Sequence, residues 1–523
     1  MKLSYKTLRL FTVIYATVPI IIFFIGWLSP IVSLIFSVLT ISGFVFFIRN
    51  KDDGEYSFVE INKKQVIVVA ILAVVWCFLA GQGGFVHQTS DHIIRNAIFR
   101  DIIKQPWPVI FNDNQLLSYY IAHWMLPAVV GKGVIAISGS ISAGLIAGRV
   151  ALLIWSSIGI FISFLLITVI TAHNKARAIL SSTMLIFFSG LDIIGTIIKN
   201  TSLSHLEWWA AFAQFSSIST CLFWVYNQFI VILPITLCII NEKSTANFAF
   251  LGILMFPYGP FPFIGIVMIC LLKAIVLLTD KSGADNLSKK LKKTFSPQNL
   301  IMLAAVGVPH ALYYMSSPII TNDVSRDGEA ITTGFRLHGN LLDSIASGNA
   351  ADIAVFFLNY LLFLFLEVGI YLIILFIYFK KQQCKKTVFW LSSLTLIFIP
   401  LFQIGMSYDF AMRVSIPALI YIGVELIRMV NAELPSQLHF KDLRSIINTK
   451  LSPLLTATLF VFCIGAVTPL FEFKREIQQT ISVGTEKETD YNYLDSLNDY
   501  DEKENFASAN YEQSLFYKFF LKK

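Results

Sequence analysis

The chain has 523 residues, of which 56% are hydrophobic and only 14% charged, with a mean hydropathy of +0.69. Soluble domains carry about a quarter charged residues, so this composition excludes a soluble globular protein and indicates an integral membrane protein. The formal charge of +7 is spread among short loops without a basic block, which argues against a nucleic-acid partner, and six cysteines in or beside apolar segments suggest neither a zinc site nor a disulfide framework.

The opening MKLSYKTLRLFTVIYATVPIIIFFIGWL has a basic flank, but its apolar run is too long for a signal-peptide core and reads as a retained spanning helix. About 20 apolar residues cross a hydrocarbon core roughly 30 Å thick. Crossings are therefore expected near 10–28, 31–48, 65–82, 149–172, 177–190, 226–241, 246–258, 261–279, 299–317, 350–379, 387–405, 414–432 and 452–471. With the N-terminus cytoplasmic, the inner segments hold 23 of the 40 Lys and Arg residues, many directly at helix ends. This bias predicts an inner N-terminus and an outer C-terminus. Residues 1–471 then form an all-α membrane domain of about 13 helices, with 83–148, 191–225, 318–349 and 406–413 outside. Residues 472–523 form an acidic outer tail that reads as mostly disordered or as a short cap. Segment 115–148 is apolar enough for a further crossing. It is read as re-entrant or interfacial, since a crossing there would push the basic AHNKAR at 172–177 outside.

The first outer loop begins SDHIIRNAIFRDIIKQPWPVIF at 90–111. Helical spacing puts Ile94, Ala97, Ile98 and Ile102 on one stripe and Asp91, His92, Arg95, Asn96, Arg100 and Lys104 largely on other faces. Pro106 and Pro108 end this amphipathic helix, which is expected to lie on the bilayer with Trp107 at the boundary. Asp91 is either an i,i+4 partner of Arg95 or a reactive acid. Asp192, in FFSGLDIIG, ends an apolar span, where a lone carboxylate is costly and usually functional. Glu207 lies in HLEWW, either a loop acid in an aromatic belt or a ligand contact. Arg336 and His338, in GFRLHGN, are either solvated or close over a ligand. Arg413 starts the twelfth span four residues after Asp409, so it is either a helix-end ion pair or a guanidinium set for a lipid phosphate. There is no G-x-x-x-x-G-K-[ST], no dinucleotide fingerprint and no H-E-x-x-H, so nucleotide-driven chemistry is not expected.

FSGLD at 188–192, HLEWW at 205–209 and DFAMRVSIPAL at 409–419, set in this topology, resemble GT-C-fold glycosyltransferases. That polytopic class includes oligosaccharyltransferases, protein O-mannosyltransferases and aminoarabinose transferases. The chain most resembles bacterial members of undefined acceptor. The likeness in topology spans almost the whole chain, while each motif is short. Two spans precede the one at 65–82 that matches the family's first helix. The acid pair of the best-known members is a single Asp91 here, with His92 beside it, and their large soluble C-terminal domain is missing.

The resemblance implies a polyprenyl-phosphate-linked sugar donor, a glycan, lipid or protein acceptor, and one inverting displacement at the outer face of the cell membrane. It matches Asp91 and Asp192 to the catalytic acids, with Asp91 taking the proton of the acceptor hydroxyl. Arg413 would neutralise the leaving phosphate, helped by Arg336, His338, His205 and Lys199. His92, Arg95, Glu207, Trp208, Trp209 and Asp409 would contact substrate. A monophosphate donor needs no obligatory metal, although Asp91, Asp192 and Glu207 are the set that would hold Mg or Mn. Two other classes compete. An outer-face polysaccharide polymerase or ligase would use lipid-pyrophosphate substrates. A lipid or solute transporter would place ionisable groups at the midplane and show internal repeats, whereas mid-span ionisable residues are few here, chiefly Glu367.

Overall fold

A computed structural model describes the chain apart from residues 51–57, 175, 281–285, 318–324, 327–328, 331–334, 383–386, 405–408, 436–450, 486–492 and 495–505. The fold is all-α, and the strands among the described residues are only two or three residues long. In chain order the first helices are α1 (Tyr5–Trp27), α2 (Pro30–Arg49), α3 (Lys63–Leu79), α4 (Asp91–Lys104), α5 (Met125–Ser138) and α6 (Ile141–Thr171). They are followed by α7 (Ala178–Ile186), α8 (Asp192–Lys199), α9 (Ile218–Trp224), α10 (Tyr226–Asn241), α11 (Phe248–Ile253) and α12 (Pro260–Thr279). Later helices are named by their residues. Among the described residues, six helices are long and apolar enough to cross a membrane: α1, α2, α6, α12, Ala350–Lys381 and Pro453–Ser482.

The patterning of α2 is that of a helix in lipid. Ile31, Leu34, Ile35, Val38 and Ile41 are exposed, while Ser33, Thr40 and Gly43 face the protein. Small and weakly polar residues let helices approach closely where burial of apolar surface gives no drive, and a Cβ at Gly43 would collide with Met302. The Thr40 hydroxyl donates to the Phe36 carbonyl, 2.7 Å away.

The segment ends that carry the basic excess gather at one end of the bundle. There Lys2–Ser4 pairs antiparallel with Phe58–Glu60, Arg9 bonds Glu242, Asn431 donates to Thr171, and Lys381 and Ser452 both reach Glu433. At the other end Trp107 packs on Trp27 with ring centroids 5.4 Å apart. Leu116–Leu117 pairs there with Ala507–Ser508.

Several elements depart from the expected pattern. Helix α4 does not present a solvated polar face: His92, Arg95, Arg100 and Asp101 are buried along with Ala97, Ile98 and Ile102. The expected stripe is real, but the opposite face is also covered by protein, and the loss of water there is offset by specific bonds. Segment 115–148 contains α5, which doubles back on the start of α6. Gly139 makes the turn with φ +69°, and Ser140 caps α6 by accepting from the Ala143 amide. At 31 residues, α6 is about 46 Å long, more than a bilayer core requires. The third departure is the helix expected at 452–471, which continues through Ser482 and carries Glu472, Arg475 and Glu476 into the polar region.

The end of the tail, from residue 506 on, forms a cap. Phe516 is buried beside Tyr313, and the amide of Ser29 donates to the Phe520 carbonyl while that of Lys522 donates to the Trp27 carbonyl. Between α10 and α12, the segment expected as a crossing at 246–258 has only the six-residue α11 followed by turns. It still links Asn247 near one end of α10 to Gly259, packed on Gln228 near the other.

Candidate functional site

Two polar clusters flank α9. The first holds two guanidiniums, each paired with a carboxylate, and begins at the first turn of α4. Arg95 donates to Asp91 Oδ2 at 3.0 Å and to the Trp224 carbonyl. Its side chain is 6% exposed, whereas Asp91 keeps 38%, so the acid remains reachable from outside while the guanidinium is enclosed. Arg413 sits in the short helix Asp409–Val414 and pairs with Asp409 Oδ2 at 3.4 Å. It lies within electrostatic reach of Asp91, Arg95, Tyr119 and Tyr120. The Nε of Arg95 and that of Arg413 are both buried without a hydrogen-bond partner. Buried donors are normally satisfied, so two orphaned N–H groups on neighbouring cations mark a place for an acceptor. The Tyr119 and Tyr120 rings pack at a 34° tilt with centroids 3.7 Å apart, and Gln228 holds the Tyr120 hydroxyl at 3.0 Å.

His92 bonds the same end of α9 as Arg95. Its Nδ1 accepts from Gln88 at 3.0 Å and its Nε2 donates to the Phe223 carbonyl at 2.8 Å, a pattern that only the neutral ring satisfies. Burial, with Arg95 nearby, lowers its pKa to about 4. His92 therefore orients α4 against α9 and carries no charge near neutrality.

The second cluster is acidic and enclosed. The apolar run at 177–190 is helical only through Ile186. Beyond it the chain unwinds, and the Leu191 amide donates to the Leu366 carbonyl in the neighbouring Ala350–Lys381 helix. Non-helical backbone in apolar surroundings is tolerated where protein covers it. Asp192 Oδ2 accepts from Ser189 at 2.9 Å and from Thr468 at 2.8 Å, and its carboxyl meets that of Glu367. Glu367 lies on a π-helical turn, Phe365–Gly369, and accepts from Trp209 Nε1 at 2.7 Å. Only glycine fits at 190, because a Cβ there would overlap the Glu367 carboxylate. Glu207 accepts from Gln214 at 2.6 Å and from the Ser217 amide at 2.8 Å. Burial, then the charges of Asp192 and Glu472, raise its pKa to about 8.

Helix α9 joins the clusters. Its seven residues span about 10 Å. Glu207 holds the amide of its capping residue Ser217, and Arg95 and His92 hold its last carbonyls. Behind it, Trp224 donates to Glu472 at 3.1 Å. Arg475 bonds Glu472 and also donates to His205 at 3.0 Å. The structure thus brings Asp91, His92, Arg95, Asp409 and Arg413 to one side of α9 and Asp192, Glu207 and Trp209 to the other. Asp91, Asp192 and Glu207 are not gathered into one ligand set, and among the described residues no group of three or more His, Cys, Asp or Glu side chains is placed to hold a metal.

Among the remaining expected phosphate contacts Arg336 comes near the Arg413 helix, since its partner strand Phe402–Gln403 packs on Asp409–Val414 and the adjacent Phe335 meets Phe410 at 6.0 Å. His205 stacks on Trp208 at 4.0 Å, and burial with the Arg475 charge lowers its pKa. Lys199 donates to Asn359 at 2.6 Å. His338 accepts from the Asn340 amide at 3.2 Å and lies against Phe212. Arg336 is in a two-residue ladder opposite Gln403. Trp209 is buried with its N–H committed to Glu367, whereas Trp208 is exposed. Sequence reasoning missed Tyr119, Tyr120, Gln228, Glu472 and Arg475, and gave Glu367 no role. Glu367 had a usable signal, an acid within a long apolar helix. No local pattern distinguishes Tyr119 or Gln228. No protein-family model, curated protein or solved structure matches the chain.

Proposed function

We propose that the protein is a multi-pass glycosyltransferase of the cell membrane that moves a sugar from a polyprenyl-phosphate carrier to an acceptor on the extracytoplasmic face. The observation that carries this reading is the pair of enclosed guanidiniums, Arg95 and Arg413, each with an unpartnered Nε, beside the partly exposed Asp91. A leaving phosphate gains charge in the transition state, and fixed cations in a dry site stabilise it without reorganising. Asp91, bonded to Arg95, takes the proton of the attacking hydroxyl. The donor carbon lies between them, and displacement from the acid's side inverts it. In this reading the chain crosses the membrane thirteen times from an inner N-terminus. The gathering of basic segment ends at one end of the bundle supports that arrangement.

The test is binding of polyprenyl phosphate to the full chain in nanodiscs. Arg95→Ala and Arg413→Ala should each weaken it at least tenfold, and unchanged binding in both would reject the phosphate site. A transporter reading draws on one observation, the enclosed Asp192–Glu367 pair on a π-helical turn, since such turns recur at functional sites. Sugar transfer by detergent-solubilised protein, where no gradient exists, separates the two. Competition by a lipid pyrophosphate but not by a monophosphate would favour the polymerase or ligase reading.

A further inference from the structure

A cleft of about 630 Å³ opens between the end of α8, residues 209–212 and the helices Gly339–Ala346 and Ala350–Lys381. Small-molecule sites fall between about 300 and 1,000 Å³ and pair apolar walls with a few placed polar groups. We propose that this cleft binds a neutral sugar unit of the acceptor. The proposal deepens the transferase reading and rests on it.

The lining decides the ligand class. Asn340, Asp343, Ser344 and Asp352 face the cleft from two helices and offer both donors and acceptors at short reach. Planar amide and carboxylate groups suit vicinal hydroxyls, each of which gives one hydrogen bond and takes another. Lys199 also lines the cleft, but its ammonium is engaged by Asn359. Two acids against one committed lysine repel a phosphate, so Lys199 belongs to this cleft and not to the leaving-group site. Trp209, Phe212 and Phe356 supply the apolar wall. At the lip, Ala211 adopts φ +58°, a left-handed conformation that a non-glycine residue holds only when its surroundings impose it. The wall is also wired to the interior, since Trp209 donates to Glu367.

The experiment uses the full chain in nanodiscs, without donor. Its first arm presents neutral oligosaccharides of hexose and N-acetylhexosamine tethered by their reducing ends. Its second arm embeds neutral diglycosyl-diacylglycerol in the disc and follows its retention by the purified protein. Retention in either arm is expected, and which arm responds tells a free glycan from a lipid-borne one. Asp343→Ala and Asn359→Ala should each weaken retention at least tenfold, and Asp343→Asn should keep most of it. Polyprenyl phosphate binding, measured on the same samples, should stay unchanged in all three variants. Retention in neither arm, retention indifferent to both alanine variants, or capture of a lysine-rich peptide in place of sugar overturns the cleft assignment. Loss of polyprenyl phosphate binding by the unaltered chain instead rejects the transferase reading, so the two failures are distinct.

Discussion

Asp91 and Arg413 differ in what a conservative replacement removes. Asp91→Asn can still accept from Arg95 but cannot take a proton. Transfer should fall by about 10²–10⁴-fold, the usual cost of losing a general base, while donor binding persists. Arg413→Lys keeps the charge and loses the planar fork, so donor affinity and rate should fall together. Equilibrium binding beside single-turnover transfer checks both. Glu207 makes a separate prediction. Its folded pKa of about 8 stands above the unfolded 4.5, so the native state holds the extra proton. Its stabilising contribution is full below about 4.5 and is lost as pH rises toward 8. Glu207→Gln mimics the protonated form and should flatten the decline of melting temperature over that window, and an unaltered decline would show that Glu207 titrates normally. His92 acts with the opposite sign. Its lowered pKa makes the native state resist protonation, so its contribution is present above about 6.5 and is lost as pH falls toward 4.

Among the elements, the Trp209–Glu367 bond ties the segment after α8 to a long apolar helix. Trp209→Phe preserves the ring packed on Gly195 and orphans a buried carboxylate oxygen. The expected cost is about 1–3 kcal/mol, measurable as a lowered melting temperature in detergent. A cost near zero would mean that another donor serves Glu367. The reach of the sequence is clear at this scale. The α4 stripe of Ala97, Ile98 and Ile102, its end before Pro106, and the long apolar helices were all legible, because periodicity and hydropathy are local signals. The burial of His92 and Arg95 was not, because it depends on α9, more than a hundred residues away. The Asp91–Arg95 and Asp409–Arg413 pairs could be read from their spacing of four. Their approach to each other could not, since it depends on how α4 and the short Asp409–Val414 helix are placed. Asp192 was singled out as a lone carboxylate, and the structure gives it Glu367 as a neighbour.

For the whole molecule, the thirteen-crossing reading makes a test of sidedness. A reporter fused after residue 290 should be active only in the cytoplasm, and one fused after residue 523 only outside. The reverse result would put Asp91 on the inner side and remove the basis for an outer-face transferase. The capping contacts of Phe520 and Lys522 with the α1–α2 end place the second fusion point at the same end of the bundle as Trp107.

The inverted surface of α2 has a consequence for how this chain tolerates change. In a soluble protein, exposed positions accept almost any polar residue and enclosed ones demand apolar bulk. On α2 the rule turns over: Leu34 and Val38 should exchange freely with other aliphatics yet reject Asn or Lys, while Ser33 and Gly43 should accept only the smallest side chains. Saturating α2 with random codons and sequencing the survivors would therefore give a greasy, permissive stripe and a miniature, conservative one. Surface-polarising changes that rescue aggregating soluble enzymes would, on this helix, strip the protein from its bilayer.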